Sequence, residues 1–522
     1  MKKKGFTLVE LLAVIAILAI LVIIALPNVL KMYNDSKKNA FMTEAQNLAK
    51  EVSSKYISES MKGNKVSVIS NQQNPLDMTG RELEYNFELD SQGKIKNMVV
   101  SNGTYCISTN KDYTKITRND ISDKCSYEKL HNIVGTLKNK FYEESGRTDR
   151  SLVSSIVFYS DGRTVNGAES YDVSEKKDGS IKMYVSQNSE NTSLLDLTIV
   201  ANGKIAFPED SSELFKFYRH DSCGGGVGNL QNLNFNNSVS TFNVTNMSSM
   251  FSRSKVTTLD LSSFNTSNVT NMSSMFSNNQ ATEIKGLNKF NTSKVTSMNY
   301  MFSRSGSATL DLSNFDTTNV TDMSGMFYRS ETTEIKGLNK FNTSKVTDMS
   351  DMFAYSKVTT LDLSGFNTSN VTNMYVMFGF SKATEIKGLN KFNTSKVTNM
   401  SEMFYDSAAT TLDLSSFDTS NVTDMSSMFD SSDATTLDLS SFDTSKVTDM
   451  SDMFNSCLNL KTIYVSDKFN TSNVFNSYDM FYRATNLVGG AGTTYNSSKV
   501  DTTYARIDGG TSNPGYFTLK NK

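Results

Sequence analysis

Two histidines and four cysteines in this 522-residue chain leave little material for a metal or nucleophile site. His131 has no Cys or His at ligand spacing and His220 has Cys223 alone, too few for a metal set, so none is expected. Carboxylates recur in Glu283-Ile284-Lys285 and its copies, and clustered acids are the usual tool of glycan cleavage. These acids alternate with lysine and return in every second unit, whereas an active site is a single exception to a pattern. The expectation is a non-enzyme with no cofactor. The formal net charge of −2 argues against an electrostatic grip on nucleic acid. One carboxylate stands apart. Glu10 precedes an uninterrupted apolar run from Leu11 to Leu26; a carboxylate beside such a span costs on the order of a few kcal/mol and is a functional candidate by default.

The element that positions Glu10 is the N-terminal segment. Met1-Lys2-Lys3-Lys4-Gly5 is a short basic leader, and residues 6–30 then supply 25 positions, about 37 Å as a helix, enough to cross a bilayer. Leader, Gly5, Phe6, Glu10 and apolar run closely resemble the class III signal of type IV pilins and pseudopilins; a simple signal anchor is the alternative. The resemblance implies that prepilin peptidase cuts after Gly5 and methylates the new N-terminus at Phe6. It also implies that Glu10 meets the N-terminal amine of a neighbouring pilin subunit during assembly, and Pro27 fits the kink often found in that helix. The cytoplasmic membrane before assembly, then the cell surface or a pilus, are the locations that follow.

Beyond Pro27 the helix is expected to reach about Ser60. Phe41, Ala45, Leu48, Val52 and Tyr56 step by 4, 3, 4 and 4, an apolar stripe for a globular head, and Gly63-Asn64 supplies a stop. Strand-like runs follow at 83–89, 95–100 and 104–108, with Ser91-Gln92-Gly93 as a turn. Cys106 and Cys125 close a loop in this head. In an exported protein a disulfide is the favoured reading, contributing roughly 3 kcal/mol, and two free buried thiols are the alternative. Cys457 reads as a core residue; Cys223 has no reading.

The rest of the chain is organised by Met-Phe, which occurs ten times from Met250-Phe251 to Met480-Phe481 in steps of 25, 26, 25, 26, 25, 26, 25, 25 and 27 residues. A fixed period of this size signals a solenoid in which each unit contacts its neighbours. In one unit, Thr258-Leu259-Asp260-Leu261 alternates like a strand. Asn265-Thr266-Ser267-Asn268 is rich in capping and turn formers. Val269, Met272, Met275 and Phe276 are spaced for one face of a short helix or 3₁₀ turn. The expected coil is strand, turn, short helix. After Leu259, Ile284, Leu310, Ile335, Leu361 and Ile386 come Asp260, Lys285, Asp311, Lys336, Asp362 and Lys387. With parallel strands about 4.8 Å apart, this predicts a ladder of opposite charges along the array. It breaks at Asp413, Asp438 and Tyr464, which makes those three a candidate ligand or cation subsite, weighed against a plain surface irregularity. The repeated Asn-Val-Thr and Asn-Met-Ser triplets match glycosylation sequons but are better read as turn residues.

Phe-Asn-Thr-Ser-Asn-Val-Thr-Asn-Met-Ser-Ser-Met-Phe at 264–276, with Leu-Asp-Leu-Ser before it, resembles the leucine-rich repeat of BspA-like bacterial surface proteins. That family is associated with surface display and adhesion to host proteins or other cells. The resulting fold class is an α+β pilin-like part, a long helix plus a small antiparallel sheet, followed by a leucine-rich-repeat solenoid with a parallel sheet and β-rich caps. The domains are a leader at 1–5, an assembly helix at 6–60, a head at 61–128 and a connector at 129–149. A cap at 150–221, the solenoid at 222–483 and a second cap at 484–522 complete the chain. The expected function is a pilin-like adhesin or protein-binding array on a minor or tip subunit, with a host or microbial surface protein as partner. A pseudopilin of a secretion or competence system, or a membrane-anchored spacer, is the alternative.

Overall fold

The computed structural model describes residues 8–70, 75–77, 83–102, 104–122, 133–146, 149–217 and 228–520, with side chains from residue 29 onward. The chain divides into two compact units, 1–134 and 135–522. In the first, α1 spans Leu8–Met61 without interruption. Its stripe of Phe41, Ala45, Leu48 and Val52 is buried together with Ile69, Tyr85, Phe87, Met98, Val100 and Ile107. The helix stops where Gly63 adopts φ 82° and the Asn64 N–H reaches back to the Glu59 carbonyl at 3.0 Å, the left-handed ending that glycine permits. Five strands follow: β1 Val68–Ser70, β2 Glu84–Leu89, β3 Ile95–Ser101, β4 Cys106–Thr109 and β5 Ile121–Ser122. They form an antiparallel sheet in sequential order.

The second unit opens with a β-rich cap. Strands β6 Ile133–Thr136, β7 Val153–Tyr159, β8 Glu169–Asp172, β9 Ile181–Gln187, β10 Leu195–Ala201, β11 Lys204–Ala206, β12 Asn232–Asn234 and β13 Val239–Ser240 form two sheets, ordered β12-β7-β10-β9-β8 and β13-β11-β6. The segment expected to be a connector, 129–149, is not one where it is described. It contributes β6 and a 3₁₀ turn, Phe141–Ser145. Phe141 and Tyr142 are buried there against Phe215 and Phe217, and two large rings in a core hold their segment to it. Phe215 also stacks on Phe251 at 5.7 Å, so the cap supplies a ring for the first repeat to rest on.

From there the repeats run with a constant interior. The phenylalanines of the ten Met-Phe pairs form one column, with neighbouring ring centroids 5.4–5.9 Å apart and planes within 1–12° of parallel. Val269, Met272, Met275 and Phe276 are all fully buried, as their spacing predicts, but they are not on a helix. Ser274 and Asn278 are left-handed, at φ 55° and 54°. The N–H groups of Met272, Ser274, Phe276 and Asn278 donate to the carbonyls of Ser297, Asn299, Met301 and Ser303 in the next unit, at 2.8–3.1 Å. A helix would spend those donors inside its own turn. Units this close must instead bond to each other, and the reversals at Ser274 and Asn278 aim every second N–H along the array. Each non-glycine residue at positive φ carries a cost of about 1–2 kcal/mol, which the stacked neighbours have to offset.

A second line of bonds is made by buried threonines. Thr368 Oγ1 donates to the Asn393 carbonyl at 2.9 Å and accepts from the Asn393 N–H at 2.8 Å. Thr343 does the same with Asn367, and Thr394 with Asp418. The Asn-Thr-Ser stretch therefore makes the turn, through Asn265 Oδ1 accepting the Ser267 N–H, and also ties one unit to the next.

The strands themselves form several small sheets in place of one long parallel sheet. β14 Thr258–Asp260 pairs with β15 Glu283–Lys285, β16 Thr309–Asp311 with β17 Glu334–Lys336, and β18 Thr360–Asp362 with β19 Glu385–Lys387, each pair parallel and separate from the next. The longer units explain the interruption. Their additional residue is Gly286, Gly337 or Gly388, at φ 83–91°, which turns the chain away from the strand into a 3₁₀ turn such as Leu287–Lys289. Residues 411–414 form no strand. At the far end β20 Thr436–Leu439, β21 Thr462–Val465 and β22 Phe517–Leu519 make a three-stranded parallel sheet, and Tyr516 and Phe517 pack edge-on against the last ring, Phe481. No closed barrel is present among the described residues.

Candidate binding face of the repeat array

The unit-to-unit bonds at the Met-Phe turn place four positions of each repeat, the two before Met and the two after Phe, along one line of the array. The buried Val, Thr, Met and Phe positions keep their residue types from unit to unit, and these four vary. The position before Met is serine in Ser249, Ser274 and Ser427 but Tyr300, Gly325, Asp351, Val376, Glu402, Asp452 and Asp479 elsewhere. The two after Phe include Tyr328-Arg329, Tyr355, Phe380, Tyr405-Asp406 and Asp430.

The varied residues form a mixed aromatic and acidic surface. Tyr355 stacks on Phe380 at 4.1 Å, and Phe380 on Tyr405 at 4.6 Å; Tyr328 meets Tyr355 edge-on at 5.8 Å. The Arg329 guanidinium lies 4.4 Å from the Tyr355 centroid and 5.3 Å from that of Tyr328, a cation held by the negative ring faces. Carboxylates flank the other end. Tyr375 Oη donates to Glu402 at 3.2 Å. Burial, with Glu402 and Asp348 adding repulsion, holds the Asp351 carboxyl above its ordinary range. Burial is also the main cause that pushes Asp430 up to about 6, against a hydrogen bond from Ser431 and with repulsion from Asp452, Asp406 and Glu402. Among the described residues, no lysine or arginine forms an ion pair with any of these acids. Such a surface offers ring faces and negative charge that no lysine or arginine among the described residues pairs with.

Residues 228–336, 321–434 and 379–493 each match the family described as Mycoplasma protein of unknown function, DUF285. Together the matches span more than half of the 522 residues. The chain belongs to this family. Its residues 1–26 match the prokaryotic N-terminal methylation motif, the motif of type IV prepilins. This motif implies processing by prepilin peptidase and assembly with pilin subunits. No curated protein and no solved structure matches the chain.

Of the residues singled out in the sequence, Gly5 and Phe6 lie outside the described residues, as do Cys125, Cys223, His131 and His220. Glu10 lies within α1, in the part whose side chains are not described. Among the described residues no helix is long and apolar enough to cross a membrane; the run Leu11–Leu26 falls in that undescribed part. Cys106 is disulfide-bonded, to a partner not among the described residues. Cys457 is a free, buried thiol, donating to the Phe429 carbonyl at 2.9 Å, and burial pushes it up to about 12.

The proposed subsite at Asp413, Asp438 and Tyr464 does not hold together. Asp438 and Tyr464 are register partners, but the cation opposite them is the chain's own Lys520. Its Nζ is 2.8 Å from Asp438 and 4.9 Å from the Tyr464 centroid. Burial raises the Asp438 carboxyl, but hydrogen bonds from Lys520 and Ser440 outweigh it and hold it below its usual range. Asp413 sits in no strand and bonds locally to Ser415. The charge ladder is corrected likewise. Asp260, Asp311 and Asp362 do face Lys285, Lys336 and Lys387 in register, but only within pairs. Their carboxylates chiefly accept hydrogen bonds from Ser262, Ser313 and Ser364. The aromatic row went unread in the sequence because Met-Phe was used only to set the period. Comparing its flanking positions unit by unit would have found the row.

Proposed function

We propose that this chain is a pilin-like cell-surface protein whose repeats stack as a leucine-rich-repeat-type solenoid and whose varied turn face binds a surface protein, giving adhesion. One observation carries the reading: the buried Val, Thr, Met and Phe positions repeat, whereas the turn-face positions differ between units in aromatic and charged character. Repetition inside is what stacking requires. Variation in aromatic and charged character along one line of turns suits an extended recognition surface. The prepilin motif supports export and assembly, with the helix at the membrane and the array outside the cell. At 522 residues the chain is large for a subunit repeated along a whole filament, so a minor or tip position is favoured. The array has no catalytic role in this reading and takes no cofactor.

The test is a strain whose chain lacks residues 228–493 but keeps the helix and head. Attachment to surfaces and partner cells is scored beside filament number. Lost attachment with normal filament number is the expected result. Unchanged attachment with failed secretion or DNA uptake would make the protein a pseudopilin. Gold-labelled antibody to the array should mark filament ends, and label along whole fibres would refute the tip position.

A further inference from the structure

The aromatic row carries cations of the chain itself along its Tyr300–Tyr355 stretch, where Tyr300 meets Tyr328 at 6.3 Å and Arg304 lies 5.9 Å from the Tyr328 centroid, and none at its Tyr405 end among the described residues. In the unit of Met326-Phe327 the turn reads Tyr328-Arg329, and the Arg329 guanidinium lies over Tyr328 and Tyr355. In the unit of Met403-Phe404 the equivalent pair is Tyr405-Asp406. Tyr405 packs on Phe380 at 4.6 Å; among the described residues, no second ring and no cation contacts it. Around it stand Asp406, Glu402 and Asp430, the charges felt by its hydroxyl, and none has an ion-pair partner among the described residues. Where Arg329 sits between rings, the Tyr405 end holds a ring face and carboxylates.

We infer that the Tyr405 end of the row is a recognition site for an arginine or lysine side chain on a basic segment of a partner protein. The inference rests on the reading of the turn face as the binding surface and names what that face selects. A ring face attracts a cation through its quadrupole, more strongly when both are partly desolvated. The carboxylates add charge-assisted hydrogen bonds to a guanidinium, whose planar fork can donate two at a time. Charge complementarity selects this occupant. A neutral ligand would leave Asp406, Glu402 and Asp430 as uncompensated as they are now.

The test uses the full chain in detergent and a labelled peptide of alternating glycine and arginine, with a glycine-glutamine peptide of equal length as control. The wild-type chain should bind the arginine peptide and not the glutamine one. Tyr405→Leu keeps the net charge and an apolar side chain but removes the ring and should weaken binding roughly fivefold or more. Asp406→Arg copies the Tyr328-Arg329 pair, so the chain's own guanidinium should occupy the ring and cut binding by more than about tenfold. Asp413→Asn, remote from the row's chemistry, should bind as wild type, which separates recognition here from general attraction to an acidic protein. Equal binding of both peptides, or of the Tyr405→Leu, Asp406→Arg and wild-type chains, would overturn the inference, as would preference for a neutral oligosaccharide lost in Tyr405→Leu. These peptide measurements judge the cation site. The attachment of array-deleted cells judges the adhesion reading, so the two can fail separately.

Discussion

Asp430 should cost this protein stability, and Asp430→Asn should recover it. The carboxylate is buried, its near neighbours are Asp452, Asp406 and Glu402, and it rises from the ordinary 3.8 to about 6. A shift of about two units is at most ~3 kcal/mol at 1.36 kcal/mol per unit. Screening by the solvent that reaches the turn face reduces this, and ~1–2 kcal/mol is the expected cost. The folded state binds this proton more tightly than the unfolded chain, so stability is greatest below 3.8. It falls as pH rises through the window from 3.8 to about 6, and the cost is fully present above it. Asparagine keeps an oxygen for the Ser431 hydroxyl, which now donates to Asp430 at 2.8 Å, and removes the charge. Urea unfolding of both full chains should therefore show a gain of ~1–2 kcal/mol for Asp430→Asn at pH 8 and nearly none at pH 3.5. Carboxylates that do not face Asp430 cancel in the difference, and relief of the repulsion on Asp452, Asp406 and Glu402 acts in the same direction as the gain at pH 8. No gain at pH 8, or the same gain at both pH values, would refute the argument. The stabilised variant should also bind the arginine peptide less well, a local trade of stability for recognition.

Thr368→Val should lose about 1–3 kcal/mol, because the Asn393 N–H and carbonyl both lose the hydroxyl they bond to; Thr368→Ser, which keeps it, should lose less in the same urea titration. Gly337→Ala places a methyl 2.4 Å from the Ser313 Cα at a residue with φ 83°. It should cost about 1–3 kcal/mol, and an unchanged urea midpoint would contradict the close approach. Asp508→Ala should loosen the C-terminal cap by about 3 kcal/mol or more, since this carboxylate accepts from the N–H groups of Ala491, Thr493 and Gly510 and from the Thr493 hydroxyl. Burial raises Asp508, but those bonds outweigh it and bring it down to about 2. Its contribution is thus complete above 3.8 and fades as pH falls toward 2; faster proteolysis of the tail in the variant at pH 7 is the readout.

Much was legible in the residues alone. A 25-to-27-residue period with Val, Met, Met and Phe at fixed offsets names the interior of the repeat, because burial of the same side chains in every unit is written as recurrence. The stripe from Phe41 to Val52 names the buried side of α1 for the same reason, since helical spacing fixes which residues share a face. Gly63 and Asn64 announce where the helix stops, because few residues accept a left-handed backbone. The basic leader, Gly5, Phe6, Glu10 and apolar run depend on nothing beyond their order.

Other features came from tertiary structure, where neighbours decide. The spacing of Val269, Met272, Met275 and Phe276 suits a helix, and its burial is as expected, but adjacent units claim the N–H groups a helix would need. Ser274, Tyr300 and Val376 take left-handed backbones that no local preference favours; the stacked units above and below impose them. The charges at Asp260 and Lys285 look like one ladder along the chain, yet an added glycine in alternate units divides the strands into pairs. Asp438 and Tyr464 look unpartnered until β22 returns, some 50–80 residues later, with Lys520. Inward-facing positions are set by periodicity, which a sequence carries in every unit. Partners across space are set by which segments the stacking brings together, and no single unit contains that information.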